Sequence, residues 1–208
     1  MTPLSPHIFF GLDLGQRQDP AALAILERTQ HFSSIRNPVT LEFPSRILFT
    51  LRHAERFHLG LPYTTIVHRI GHLVQSLTGS ICGAWPVSSG HLCNPNKTLV
   101  VDASGVGAPV VEMLRQANLG ITIVPIVITS GQDAHSGPDR TLYVPRRDLI
   151  TRLRIVLERQ TLKIPSSIND RETLTTELLN LTDRSGSKHD DLAIATALAL
   201  YQASKNLR

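Results

Sequence analysis

Four carboxylates stand where a sequence of this kind places chemistry. Asp13 ends an apolar run in Phe10-Gly11-Leu12-Asp13-Leu14-Gly15, and Asp102 ends another in Val100-Val101-Asp102-Ala103-Ser104-Gly105. Asp190 and Asp191 follow His189 and open the run Leu192-Ala193-Ile194-Ala195. Taken singly, an Asp at a strand end caps a turn, and acids in a first helical turn simply complement the helix dipole. Taken together they suggest a shared site. Neighbouring carboxylates raise one another's pKa, so crowding them is unfavourable unless cations enter with them. Hard divalent ions such as Mg²⁺ and Mn²⁺ prefer such oxygen ligands. Two ions about 4 Å apart would support in-line attack of water on a phosphodiester.

The surrounding pattern supplies elements able to bring these acids together. Ile8–Leu14 reads as a buried strand, Ala21–Glu27 as a second, and Leu41–Leu51 as a third despite Pro44. Tyr63–Leu77 carries apolar residues at helical spacing, and Gly79–Asn96 has loop composition. Thr98–Val101 and Ile121–Ile128 read as strands, with a helix from about Ala108 to Ala117 between them. After a polar loop over Thr129–Arg140, a basic amphipathic helix is expected over Arg147–Gln160, with Leu149, Leu153, Val156 and Leu157 on its apolar face. Two more helices follow, Glu172–Leu181 and His189–Lys205, separated by a flexible Asp183–Lys188 linker. Three consecutive strands form an antiparallel meander, and two strands reached through helices pair in parallel. The expectation is a five-stranded mixed α/β sheet with helices on both faces, as one domain over residues 1–208. Parallel neighbours lie about 4.8 Å apart, so Asp13 and Asp102 at matching strand ends could reach one ion. The alanines at 193, 195, 197 and 199 would let the last helix approach the sheet closely and carry its acids there.

Composition narrows the function classes. At 208 residues and 41% hydrophobic content the chain can bury a core and is not disordered. It has no apolar stretch of membrane-spanning length, and its N-terminus lacks the pattern of a signal peptide, so a cytoplasmic location is expected. The net charge of +4 is concentrated: Arg140–Lys163 holds seven basic residues against two acids. That segment suits a phosphate backbone, with Arg146, Arg147, Arg152 and Arg154 as the contacts. Cys82, His91 and Cys93 lack a Cys-x-x-Cys pair and a fourth ligand, which argues against zinc. No nucleophile-elbow pattern supports acyl transfer.

The ordered set Gly11–Leu23, Val100–Gly107 and His189–Ala193 resembles the nuclease domain of phage terminase large subunits, a branch of the RNase H-like superfamily that also holds the Holliday-junction resolvases. Leu51–Phe57 with Tyr63, and Val144–Leu149, add to the resemblance, which runs along nearly the whole chain. It implies a metal-dependent endonuclease for double-stranded DNA, working in phage DNA packaging and concatemer cleavage. Asp13, Asp102, Asp190 and Asp191 would be catalytic ligands of two Mg²⁺ or Mn²⁺ ions, with Asp190 slightly favoured over Asp191. His189 and Asp19 are auxiliary candidates. A full terminase large subunit also carries an ATPase motor. This chain has no Gly-Lys dipeptide and therefore no Walker A loop, so a separate ATPase or other terminase subunit is expected as a partner. Two other classes compete: a nuclease-dead DNA-binding or assembly module, and a sugar-kinase or actin-like ATP-binding domain, which ordinarily needs a longer chain.

Overall fold

The computed structural model describes residues 6–15, 19–83, 96–105, 107–182 and 190–205, without the side chains of residues 78–83 and 138. Its strands are β1 (His7–Asp13), β2 (Ala22–Phe32), β3 (Ser45–Arg56), β4 (Asn96–Asp102), β5 (Thr122–Thr129), β6 (His135–Ser136), β7 (Leu142–Pro145) and β8 (Leu162–Lys163). The helices are α1 (Tyr63–Gly83), α2 (Gly107–Gln116), α3 (Arg146–Glu158), α4 (Arg171–Asn180) and α5 (Asp191–Ala203). All eight strands form one sheet in the order β6-β7-β5-β4-β1-β2-β3-β8.

The five expected strands form its centre with the expected senses. β1 pairs antiparallel with β2 and β2 with β3, while β1, β4 and β5 run parallel. The sheet nevertheless has eight strands rather than five. β6, β7 and β8 are two to four residues long, too short for alternation to announce them, and they extend the two edges. Element boundaries shift as well. β3 starts at Ser45, because Asn37–Glu42 forms a turn in which the Asn37 carboxamide accepts the N–H groups of Val39 and Thr40. It continues to Arg56 through a bulge: Ile25 faces His53 but Leu26 faces Leu51, leaving Arg52 as the extra residue. The bulge switches parity, so Phe49, Leu51 and Ala54 all enter the same core. The α1 backbone stays helical through Gly83, beyond the expected end at Leu77, since a helical glycine costs only about 1 kcal/mol.

Alternation along the strands divides the core in two. Ile8, Phe10, Leu12, Leu23, Leu99 and Val101 meet α1 and α2 on one face. Phe9, Ala24, Leu26, Val100, Ile126 and Val144 meet α3, α4 and α5 on the other. Helices cover both sides, so the central strands are apolar on both faces. α5 is buried along almost its whole length and crosses β1 at backbone contact. A Cβ placed on Gly11 would lie 1.9 Å from the Ala195 carbonyl oxygen and 2.7 Å from the Ala199 nitrogen. Glycine below and alanines above are therefore what seat α5 on the sheet. Among the described residues, no helix is long and apolar enough to cross a membrane.

Candidate metal centre

Strand pairing assembles the first two acids. Leu12 is opposite Val101 in the parallel β1–β4 ladder, which puts Asp13 and Asp102 at matching carboxyl ends. Alternation turns both toward the α3–α5 face, Asp13 with Phe9 and Asp102 with Val100. This is where open α/β sheets place ligands. β4 then turns sharply: Asp102 Oδ1 accepts the Ser104 N–H at 2.8 Å, and Ser104 Oγ accepts the Ile128 N–H at 3.0 Å. Gly107 opens α2 where a Cβ would meet the Asp102 carbonyl oxygen at 2.6 Å. Asp102 thus does shape a turn, with its carboxylate at the site as well.

The seating of α5 delivers the other two. Asp190 precedes the first turn and makes no side-chain cap of its own helix. That duty falls to Glu177 of α4, whose Oε2 accepts the Ala193 N–H at 2.8 Å. Capping from a neighbouring helix leaves the α5 acids to face the strand ends. Arg146 pairs with Asp190, and β7 is what places it there, since Pro145 ends opposite Thr129 at the carboxyl edge of the sheet. Arg56, at the end of β3, pairs with Glu177 and stands 3.5 Å from Asp191. Its backbone N–H donates to Asp170 Oδ2 at 3.1 Å, which fixes the strand end to the start of α4.

The charges of the other three acids all bear on Asp13. Burial, followed by the charges of Asp102, Asp191 and Asp190, raises the Asp13 carboxyl well above the usual carboxylate range, with Arg146 opposing. Burial also raises Asp102, against the Ser104 hydrogen bonds and Arg146. Burial pushes Glu177 up to about 7, despite the Ala193 N–H and Arg56. Asp191 and Asp190 both raise Asp13, and Arg146 is paired with Asp190.

The donor set is oxygen-only and anionic, which suits hard divalent ions. Among the described residues, however, no three acidic, His or Cys side chains are gathered closely enough to hold an ion as they stand. Arg146 and Arg56 are the cations that draw Asp190 and Asp191 in this arrangement. As oxygen donors the acids fit such an ion chemically.

The remaining candidates spread out. Asp19 is exposed in the β1–β2 connection and is not among the charges acting on Asp13. His189 lies outside the described residues, as do His91, Cys93 and the Cys82 side chain. The expected DNA-contacting arginines face three directions. Arg146 is at the acids, and Arg147 donates to the Gln132 carbonyl. Arg152 donates to Ser204 Oγ at 3.1 Å, and Arg154 to the Leu181 carbonyl at 3.2 Å. Arg56 and Glu177 escaped the sequence reading. They are 121 residues apart, and no local spacing signals their pairing.

No protein-family model matches the sequence, and no curated protein matches it significantly. Solved structures do match. The human cytomegalovirus terminase nuclease domain superposes with a TM-score of 0.60 at 14% identity, over 95% of this chain and 84% of that one. A manganese-soaked, inhibitor-bound structure of that domain gives 0.58 at 15% identity, over 98% and 85%. The nuclease domain of the bacteriophage SPP1 large terminase, with bound manganese, gives 0.48 at 16%, over 94% and 86%. At such identities the likeness is one of fold. The chain has the RNase H-like α/β fold of a terminase nuclease domain.

Proposed function

We propose that this chain is a Mg²⁺- or Mn²⁺-dependent endonuclease of double-stranded DNA that serves phage DNA packaging by cleaving concatemers. The observation that carries the reading is the placing of Asp13 and Asp102 at matching carboxyl ends of β1 and β4, with the charges of Asp190 and Asp191 acting on Asp13, within an RNase H-like fold. That the similar cytomegalovirus domain was studied manganese-soaked supports a divalent cofactor. Localisation in the host cytoplasm and a separate ATPase or other terminase subunit complete the proposal.

Asp13, Asp102 and Asp191 or Asp190 would hold the ions. Two divalent ions bound there supply an acidified water and neutralise the departing oxygen. Asp102 is held in direction by the Ser104 N–H, so it approaches the site already oriented. Asp190 and Asp191, held here by Arg146 and Arg56, would be shared between those cations and the metal. The Arg146 guanidinium, at the edge of the site, would hold a phosphate oxygen of the cut strand. Products carry 5′-phosphate and 3′-hydroxyl ends.

The test is cleavage of supercoiled plasmid by purified protein. Nicked and linear product should form with Mg²⁺ or Mn²⁺, with little sequence preference, and vanish with chelator. Plasmid left intact with every divalent ion, while the protein still binds DNA, would identify a binding or assembly module instead.

A further inference from the structure

We infer that a second, arginine-lined site on the same sheet face holds backbone phosphates of the nucleic acid, about 20 Å from the acidic centre. The inference uses the proposed nuclease function only to name the polyanion. A concavity of about 940 Å³ opens between β2, β3 and the second half of α3. Arg28, Arg46, Arg152 and Arg159 line it, and among the described residues no Asp or Glu does.

Ion pairing supplies a second observation. Arg52, Arg56, Arg69, Arg115, Arg146 and Arg147 each stand within ion-pair distance of a carboxylate. None of the four pocket arginines forms such a pair with a described residue. Four guanidiniums facing one concavity repel one another unless an anion is shared. Two are also held in place. Arg152 lies over the Tyr201 ring at 4.7 Å and donates to Ser204 Oγ, and Arg46 donates to the carbonyls of Arg159 and Gln160 at 3.2 and 3.3 Å. Ordering these side chains beforehand reduces the entropy lost on binding, and a planar guanidinium matches a phosphate in bidentate geometry.

Two independent rulers give the distance. Arg28 is opposite His7, and Ala22 opposite Asp13, so the pocket and the acids are at opposite ends of the seven-residue β1. Six steps of about 3.3 Å make roughly 20 Å. α3 spans the same interval, with Arg146 at the acids and Arg159 just past its end, and its 13 residues rise about 20 Å at 1.5 Å each. At about 3.4 Å per nucleotide this corresponds to some six nucleotides along one strand, so one duplex can engage both ends.

The test is fluorescence anisotropy of a labelled 30-base-pair duplex over a range of salt, in chelator, with the full chain. Arg28→Ala/Arg159→Ala should weaken binding at least tenfold and lower the log–log salt slope by about two. Arg28→Lys/Arg159→Lys should retain the slope, which separates charge from folding. Inorganic phosphate and pyrophosphate should displace the duplex no better than sulfate at equal ionic strength. An unchanged slope in the alanine variant, displacement by micromolar pyrophosphate, or no binding by the wild type would each overturn the inference. Plasmid cleavage separates the two readings. A wild type that binds through these arginines yet never cuts sinks the nuclease proposal alone, and one that cuts while the alanine variant keeps its slope sinks this site alone.

Discussion

The two ends of the sheet on its α3–α5 face carry opposite electrostatic problems. At the carboxyl ends of β1 and β4, Asp13, Asp102, Asp190 and Asp191 crowd negative charge, and Arg146 and Arg56 offset part of it. At the other end, Arg28, Arg46, Arg152 and Arg159 crowd positive charge with no carboxylate among the pocket's lining residues. Each end is stable alone only to the extent that counter-charge reaches it. The acidic end supplies some from its own arginines, and the basic end takes it from outside. On the proposed function, one sheet would keep metal ions and phosphates in register: β1 and α3 fix the spacing, and charge decides what fills each end.

The largest effect should come from deleting charge at the acidic end. Asp102→Asn should reduce metal-dependent cleavage by more than about 100-fold, because losing even an outer-shell partner costs 10- to 100-fold. The fold should survive, since the amide can still accept the Ser104 N–H. A variant that cuts plasmid at the wild-type rate would remove Asp102 from the chemistry. Asp191→Asn should be more damaging than Asp190→Asn, because Asp190 is already closely paired with Arg146 whereas Asp191 stands 3.5 Å from Arg56.

Next comes Glu177, a positioning residue that touches none of the reacting groups. Glu177→Gln keeps an acceptor for the Ala193 N–H but drops the charge that holds Arg56. Cleavage should fall about tenfold, with a weaker apparent metal affinity, while the thermal melt stays cooperative. Unchanged metal affinity would leave Glu177 a helix cap and nothing more.

A milder effect concerns pH. Asp13, Asp102 and Glu177 all have raised folded-state pKa values. Their favourable contribution is complete below the unfolded values and is lost as pH rises through the folded ones. For Glu177 that window runs from 4.5 to about 7. The metal-free protein should therefore melt lower at pH 8 than at pH 5.5. Added Mn²⁺ should raise the melting temperature more at pH 8, because ligands must be deprotonated to bind. Melting curves with and without Mn²⁺ at both values check this, and a metal effect larger at pH 5.5 would contradict it. Smallest of all should be Arg154→Ala. That side chain serves the Leu181 carbonyl rather than either charged end, so DNA affinity should change less than twofold.

Much of this was legible in the sequence where period and position coincide. Strands ending in Asp13 and Asp102, and alanines repeating along α5, announced the central sheet, the matching strand ends and the close seating of α5. Gly11 is the complementary signal, because only a residue without a Cβ admits α5 at that distance. The two- to four-residue strands β6, β7 and β8 carry no period to read. The bulge at Arg52 breaks alternation within β3, which is why the strand's charged second half looked like its end. Arg56 and Glu177 depend on contacts across the whole chain. The basic segment was visible as composition, but a run of arginines on one helix says nothing about direction. The helix surface sends Arg146 to the acids, Arg152 to the pocket and Arg154 elsewhere, and Arg28 and Arg46 join the pocket from the strands.

The central claim is that the acidic end is held in tension by its own charge until divalent ions enter. Asp13→Asn measures it most directly, at pH 8, by thermal melting with chelator and again with Mn²⁺. The account predicts that the variant melts higher than wild type in chelator, because repulsion among the four acids is relieved, and that Mn²⁺ then adds little to it while raising the wild type. A variant that melts lower in chelator and gains as much from Mn²⁺ as the wild type does would contradict the account.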